Sequence, residues 1–349
     1  MRYDYGDPAR GSCYEYTHFF ETLQRMKGIT VRLFPFDEIL RREGREKMNA
    51  RLLETADWGA DLYFFVLFTD EIQEQTIEEV AKRSGAMTVN WFGDDHWRFQ
   101  TFSKYWGPLF QWVVTTDPAS VPLYRAAGCR QVIQSQWAFN HFGVAPGPAQ
   151  EDLDVTFIGQ VHSNRASLIS KLQRRGVQVQ CWGKGWNNGY LTREEMVRTI
   201  RRSRINLNFS SSSMKFNAKS AAKVFLNRRA DSSIHVRSIK EMISGGRAFF
   251  SRRRPQIKGR TFEIPGYRGF LLSETADDLD RYYRSGEEID TFADADELVE
   301  KVHYYLRHDD ERSRIREQGY RRTISEHTYE ARFRQIFDAM GIGQSKGSL

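Results

Sequence analysis

Over the first 135 residues, short apolar runs alternate with longer mixed stretches. ITVRLF (29–34), DLYFFVLF (61–68), AMTVNWF (86–92), QWVVTT (111–116) and RQVIQS (130–135) are rich in Val, Ile and aromatics and read as strands. Between them, EEVAKRS and ASVPLYRAAG carry apolar residues at helical spacing. Strands alternating with helices predict a parallel sheet with helices on both faces. VAPGPAQEDLD (144–154), with two prolines and a glycine among small and acidic residues, predicts an exposed connection. The alternation then restarts. DVTFIG (154–159), VQVQCWG (177–183), INLNFS (205–210) and GFLLSE (269–274) read as strands. Helices are expected at 164–175, at 192–203 behind a capping box of Thr192 and Glu195, and at 294–307 behind Asp294 and Glu297. HTYEARFRQIFDAM (327–340) predicts a last amphipathic helix, and GIGQSKGSL (341–349) a frayed tail. The interval 214–257 is irregular: KFNAKSAAKVFLNRR reads as a basic helix before EMISGGRAFFS, and the pattern assigns it no role.

A chain of 349 residues exceeds what one core fills, so two domains of roughly 150 residues each are expected. With 40% apolar and 13% aromatic residues there is material for both cores, which excludes the disordered class. No apolar run reaches the ~18 residues of a membrane span. The opening MRYDYGDPARG lacks a leader's layout, so the expected location is cytoplasmic. Cys13, Cys129 and Cys181 are odd in number and far apart, which favours packing over disulfides or zinc. The net charge of +7 comes from 52 basic and 45 acidic residues interspersed along the chain, and no nucleic-acid motif accompanies it. The run Arg252, Arg253 and Arg254 suits a solvated face, a peripheral membrane contact or an anionic substrate. His303 and His308, five apart, do not share a helical face, so no metal is expected.

Candidate chemistry concentrates at the strand exits, where open α/β sheets bind ligands. In KGRTFEIPGYRGFLLSE (258–274), Lys258 and Arg260 precede a short helix near Phe262–Pro265, and together suit a diphosphate. Glu263 suits a pair of sugar hydroxyls, and Gly266 and Gly269 suit a close backbone approach or a tight turn. A surface pair of Arg260 with Glu263 and plain glycine turns explain the same residues equally well. FIGQVHSNR (157–165) offers Gly159, His162 and Arg165 to a diphosphate. CWGKGWNNG (181–189) offers Gly183 and Trp186 to a base, with a core tryptophan as the other reading. In FGDDHW (92–97), Asp94, Asp95 or His96 suits a base for an attacking hydroxyl, or else a helix cap. Tyr5, Gly6 and Gly11 in YDYGDPARG (3–11), after a short first strand, suit an acceptor-side loop or a plain turn.

The run from KGRTFEIPGYRGFLLSE through DERSRIREQGYRRTISEHTYEARF resembles the C-terminal signature of CgeB-like glycosyltransferases, and the likeness extends upstream through DVTFIGQVHSNRASLISKL, CWGKGWNNGYLTREEM, NWFGDDHWRF and TTDPASVPLYRAAG to YDYGDPARGSCYEY. The resemblance implies the GT-B fold, two Rossmann-like domains facing across a cleft. The expected layout is an acceptor-side domain at 1–148, a nucleotide-sugar donor domain at 149–326, a helix at 327–340 crossing back to the first domain, and a flexible tail at 341–349. The implied activity is transfer of a sugar from a nucleoside diphosphate sugar to a hydroxyl-bearing acceptor (glycan, protein or other), with no bound cofactor or metal. Glu263 matches the glutamate that contacts the donor ribose in many retaining GT-B enzymes, and Gly269 the glycine after it. A second family glutamate, eight residues earlier, is replaced here by Pro255, and the stereochemical lean is therefore only weakly towards retention. A noncatalytic glycan- or nucleic-acid-binding protein on the same fold is the rival reading. A dinucleotide-dependent epimerase or reductase is disfavoured, since no G-x-G-x-x-G follows the first strand.

Overall fold

The structure, a computed structural model, describes residues 1–143, 150–210, 226–228, 234–236 and 254–343. It separates into two compact units. One holds residues 1–136 and 332–343, the other residues 137–210 and 254–331.

The first unit is built on a four-stranded sheet in the order β1-β2-β3-β4, with β1 Leu62–Phe65, β2 Met87–Phe92, β3 Trp112–Thr115 and β4 Gln131–Gln134, all parallel. The inner strands are buried on both faces, as a sheet covered by helices demands: Val89, Trp91, Val113 and Val114 are buried, and so are the polar Thr88 and Asn90. Helices Phe36–Glu43, Arg45–Glu54 and Glu74–Ser84 supply Ile39, Met48, Leu52, Ile77 and Val80 to the same core. Phe333, from the last helix Tyr329–Ala339, packs edge-on against Phe19 and Phe64.

The second unit is a five-stranded parallel sheet in the order β11-β10-β7-β5-β6, with β5 Leu153–Ile158, β6 Val179–Trp182, β7 Ser203–Asn208, β10 Leu271–Glu274 and β11 Asp290–Phe292. The chain leaves β5 to one side for β6, then crosses to the other side for β7. The strand order therefore reverses between β5 and β7, the point at which doubly wound sheets open a crevice for ligands. Strand β7 alternates Ile205 and Leu207 on one face with Asn206 and Asn208 on the other, all buried. The asparagines are satisfied: Asn206 donates to Ile200 O at 3.0 Å, and Asn208 to Ser273 Oγ at 3.0 Å and Thr261 Oγ1 at 3.3 Å. This polar seam ties the helix Arg260–Gly266 to the sheet.

Most expected elements form where the periodicity puts them. Thr192 and Glu195 make both bonds of the capping box ahead of helix Arg193–Arg202. The Asp294 carboxylate accepts from the Asp296 and Glu297 amides at the start of helix Ala295–Tyr305. Three expectations fail, and one helix forms unannounced. Residues 29–34 form no strand and join no ladder, because a strand pattern specifies a buried face and not a pairing partner. The short first strand is only an isolated bridge between Tyr3 and Ser12. The basic helix expected over KFNAKSAAKVFLNRR ends instead in strand β8, Leu226–Arg228, antiparallel to β9, Ile234–Val236; its remaining residues lie outside the described ones. Helix Asp309–Glu326 was not expected, since it is polar along most of its length. The proline-rich connection at 144–149, Arg252, Arg253 and the tail beyond 343 also fall outside the described residues.

The three cysteines are free and buried, consistent with packing. Among the described residues no helix is long and apolar enough to cross a membrane.

Candidate functional site

The second unit gathers cations at the carboxyl ends of β5 and β7. Arg165 lies in the first turn of helix Ser163–Arg174, which follows β5. Its guanidinium donates to Gln160 O at 3.1 Å, just past β5, and to Phe209 O at 3.3 Å, just past β7. It thus spans the point where the strand order reverses. Its Nε is buried and has no hydrogen-bond partner among the described residues. Burial lowers its pKa, opposed by the charge of Glu274 at the end of β10, and a guanidinium keeps its proton regardless. Arg260 reaches the same edge: its Nε lies 3.5 Å from Ile158 O, and its other end pairs with Glu263 at 2.5 Å. Lys258 precedes it in the turn whose Lys258 O accepts from Thr261 N at 3.0 Å.

Other predicted residues frame this cluster. Gly159 follows β5 directly; its amide donates to Trp182 O at 2.8 Å, and its carbonyl accepts from Trp186 Nε1 at 2.9 Å. Gly183 has φ +119°, and a Cβ there would meet Gly159 O at 2.5 Å, so glycine is what lets the β5 and β6 exits lie side by side. Trp186 packs edge-on against Phe157, with its ring centroid 6.1 Å away, and belongs to the core layer rather than standing free for a base. Burial first, then the Arg165 charge, hold His162 below the usual imidazole range, so it is neutral at pH 7. Gly266 and Gly269 serve packing. A Cβ on Gly266 would meet the Phe139 ring at 2.4 Å, and one on Gly269 would meet Ile200 at 2.6 Å. Glu263 is only 2% exposed, and its direct access to a ribose would require the Arg260 pair to open.

In the first unit, Asp94, Asp95 and His96 follow β2. Asp94 is exposed and stands at the N-terminus of the short helix Asp95–Arg98 without a side-chain capping bond. His96 is half-buried. Asp95 is buried, and its carboxyl accepts from Thr115 Oγ1 at 2.6 Å and Tyr124 OH at 2.9 Å. A π-helical stretch, Phe99–Ser103, brings Ser103 to the same carboxyl. Desolvation outweighs these donors and pushes the Asp95 pKa up to about 7. A base must reach the hydroxyl it deprotonates, and this carboxyl does not reach solvent. Tyr5, Gly6 and Gly11 shape a loop beside the same exit. Tyr5 has φ +52°, and Gly6 and Gly11 have φ +72° and +79°. Burial, then Asp4, raises the Tyr5 phenol's pKa, with Asp94 adding to the effect.

The Asp95 environment predicts a stability signature. Its folded pKa, about 7, lies above the usual carboxyl value. The folded state therefore holds a proton that the unfolded state releases, and stability falls as pH rises from about 4 to 7. Asp95→Asn is expected to flatten this slope and to gain stability over the parent by a few kcal/mol at pH 8, with little difference at pH 4. Urea melts of both proteins across that range check it; parallel pH profiles would contradict it.

Sequence reasoning missed Glu274, Arg98 and Phe68. Glu274 closes a strand that reads only as an apolar run, Phe68 ends the apolar run DLYFFVLF, and nothing in NWFGDDHWRF assigns Arg98 a role beside Asp94, Asp95 and His96.

A sequence-family model described as glycosyl transferase-like matches residues 165–338, about half of the chain and the part that holds Arg165 and Arg260. No curated protein matches it. Among solved structures, S. aureus TarM aligns at 8% identity and TM-score 0.51 over 84% of this chain, which spans 58% of TarM's length. Anabaena Alr3699/HepE, crystallised with UDP-glucose, aligns at 10% identity and TM-score 0.53 over 84% of this chain and 82% of its own. Residues 165–338 thus match the glycosyl transferase-like family, and the chain has the GT-B fold of these structures.

Proposed function

We propose that the chain transfers a sugar from a nucleoside diphosphate sugar to a hydroxyl-bearing acceptor, with Arg165 and Arg260 holding the diphosphate. The supporting observation is Arg165, a half-buried cation whose Nε has no partner among the described residues, placed across the β5–β7 reversal. A departing diphosphate would receive the charge that this site holds in readiness, the kind of electrostatic stabilisation that often dominates group transfer. Two arginines, Lys258 and the amide end of helix Ser163–Arg174 supply that charge from protein groups, which supports metal-independent transfer. Glu263 holds Arg260 in place. The match of Glu263 and Gly269 to the retaining pattern favours retention, weakened by Pro255. In the first unit, exposed Asp94 or neighbouring His96 takes the acceptor's proton.

UDP is the first donor nucleotide to try, since HepE is crystallised with UDP and UDP-glucose and a TarM variant with UDP. The test is nucleotide release from a panel of UDP-, GDP-, ADP- and dTDP-sugars with mixed glycoside acceptors, run with and without EDTA. Release with one donor, unchanged by EDTA, and a product retaining the donor's anomeric configuration by NMR are expected. Release abolished by EDTA would overturn the metal-independent reading, and an inverted product would overturn retention.

A further inference from the structure

The first unit carries two aromatic side chains that are exposed yet rigidly mounted. Tyr5 is 58% and Phe68 43% exposed, and their rings meet edge to face at 5.4 Å. Single exposed aromatics are ordinary on protein surfaces. What distinguishes this pair is the buried machinery beneath it.

Phe68 lies past the end of β1, where Glu71, only 3% exposed, accepts from Phe68 N at 2.8 Å, Thr69 N at 2.5 Å and Thr69 Oγ1 at 2.6 Å. Arg98 donates to Phe68 O at 2.6 Å. Tyr5 is fixed from the other side. The buried Asp37 carboxylate accepts from the Arg2 and Tyr3 amides at 2.8–2.9 Å, and Asp4 N donates to Gly11 O at 3.0 Å. Tyr5 itself takes a left-handed φ of +52°, costly for a bulky residue, and this aims the ring outward. Two buried carboxylates and a strained turn thus hold two apolar rings in solvent, a form of preorganisation that a core does not need.

The polar groups around the rings come in opposite-charge couples. Arg10 sits 4.5 Å over the Tyr5 ring and pairs with Asp4 at 2.6 Å. Arg98 sits 5.6 Å from the Phe68 ring centroid, and Asp94 is the largest charge opposing the burial that lowers its pKa. The Arg10–Asp4 pair offers a donor and an acceptor side by side with no net charge. A pyranose has matching chemistry: a face of weakly positive C–H groups for an electron-rich ring face, and a rim of adjacent hydroxyls that both donate and accept.

From this we infer that Tyr5 and Phe68 form a stacking subsite for a neutral pyranose, and that the acceptor is a neutral glycan. Calling the sugar an acceptor rests on the glycosyltransferase reading; the binding itself does not. Saturation-transfer difference NMR on the full chain tests it with methyl glucoside, galactoside, mannoside and N-acetylglucosaminide as probes, methyl glucuronide as the charged comparison and UDP as an internal control. At least one neutral glycoside is expected to show saturation at its ring C–H protons. Tyr5→Ala and Phe68→Ala should each weaken that signal roughly fivefold, while Tyr5→Phe keeps it. The UDP signal should not change in any variant, which also shows that the variants fold. A chain that binds UDP but no neutral glycoside, a signal indifferent to both alanines, or a preference for the glucuronide would overturn the inference. Tyr5-dependent glycoside binding in a chain that ignores every nucleoside diphosphate would support it and sink the donor proposal instead.

Discussion

Arg260→Ala is expected to lower kcat about a hundredfold, because the guanidinium would lie where charge grows as the sugar–phosphate bond breaks. KM for the donor should rise less, since a group that meets mainly the transition state contributes little to ground-state binding. The side chain is positioned for this by two contacts, Ile158 O at the end of β5 and the buried Glu263. Removing Glu263 should therefore act through Arg260. Glu263→Gln, which keeps an acceptor of the same shape, should lose less activity than Glu263→Ala. Steady-state kinetics of the three variants decide this. Unchanged turnover in Arg260→Ala would remove it from the mechanism and leave the Arg260–Glu263 couple as a structural pair.

Gly319→Ala is expected to produce the largest loss of stability. Gly319 lies within helix Asp309–Glu326, and a Cβ there would sit 2.1 Å from the backbone carbonyl of Glu288, with Pro265 at 3.5 Å behind it. A flexible side chain could turn aside, but a carbonyl at the end of a fixed turn cannot: Glu288 N and its carboxylate are both bonded to Arg284. The helix would have to withdraw from the helix Arg260–Gly266 that it packs against. The expected cost is about 3 kcal/mol. For a unit of this size that is a fall of roughly 10 °C in the melting temperature. The shift should be accompanied by weaker donor binding, because the helix Arg260–Gly266, which loses this packing, carries Arg260. A melting temperature equal to the parent's would show that the close approach of these elements is not needed.

The same pair of helices shows why part of the architecture could be read in advance and part could not. The sheets announced themselves through runs such as WVVT, apolar on both faces, and INLN, whose apolar residues alternate at strand spacing. Capping boxes gave sharp starts because Thr192 and Asp294 satisfy local amides without help from the rest of the fold. Helix Asp309–Glu326 gave little signal, because it is held by a few buried residues, Arg312, Ile315, Gly319 and Thr323, on an otherwise charged rod. Its Arg312 is buried yet paired with Asp309 one turn away at 2.6 Å and with Glu151 at 2.8 Å, the second a contact between distant residues that no local pattern encodes. At the candidate site, the strand-exit rule singled out Gly159, Arg165 and Arg260, which the fold places at the ends of β5 and β7. It did not separate glycines that pack, such as Gly266, from those that would face a ligand. It also did not foresee that Asp95 would turn inward to Thr115 and Tyr124 while Asp94 stayed outside. Such distinctions depend on which neighbour occupies the adjacent space, and that is settled only when the chain is folded.

Calorimetric titration of UDP into the parent chain, Arg165→Ala and Arg260→Ala tests the central claim most directly, namely that the diphosphate sits at the β5–β7 reversal. The account predicts measurable binding to the parent and a loss of at least about tenfold in affinity in Arg165→Ala, which removes the guanidinium whose Nε has no partner among the described residues. It predicts a smaller loss in Arg260→Ala, which already holds Glu263. Equal UDP affinity in all three proteins would place the nucleotide elsewhere and contradict the account.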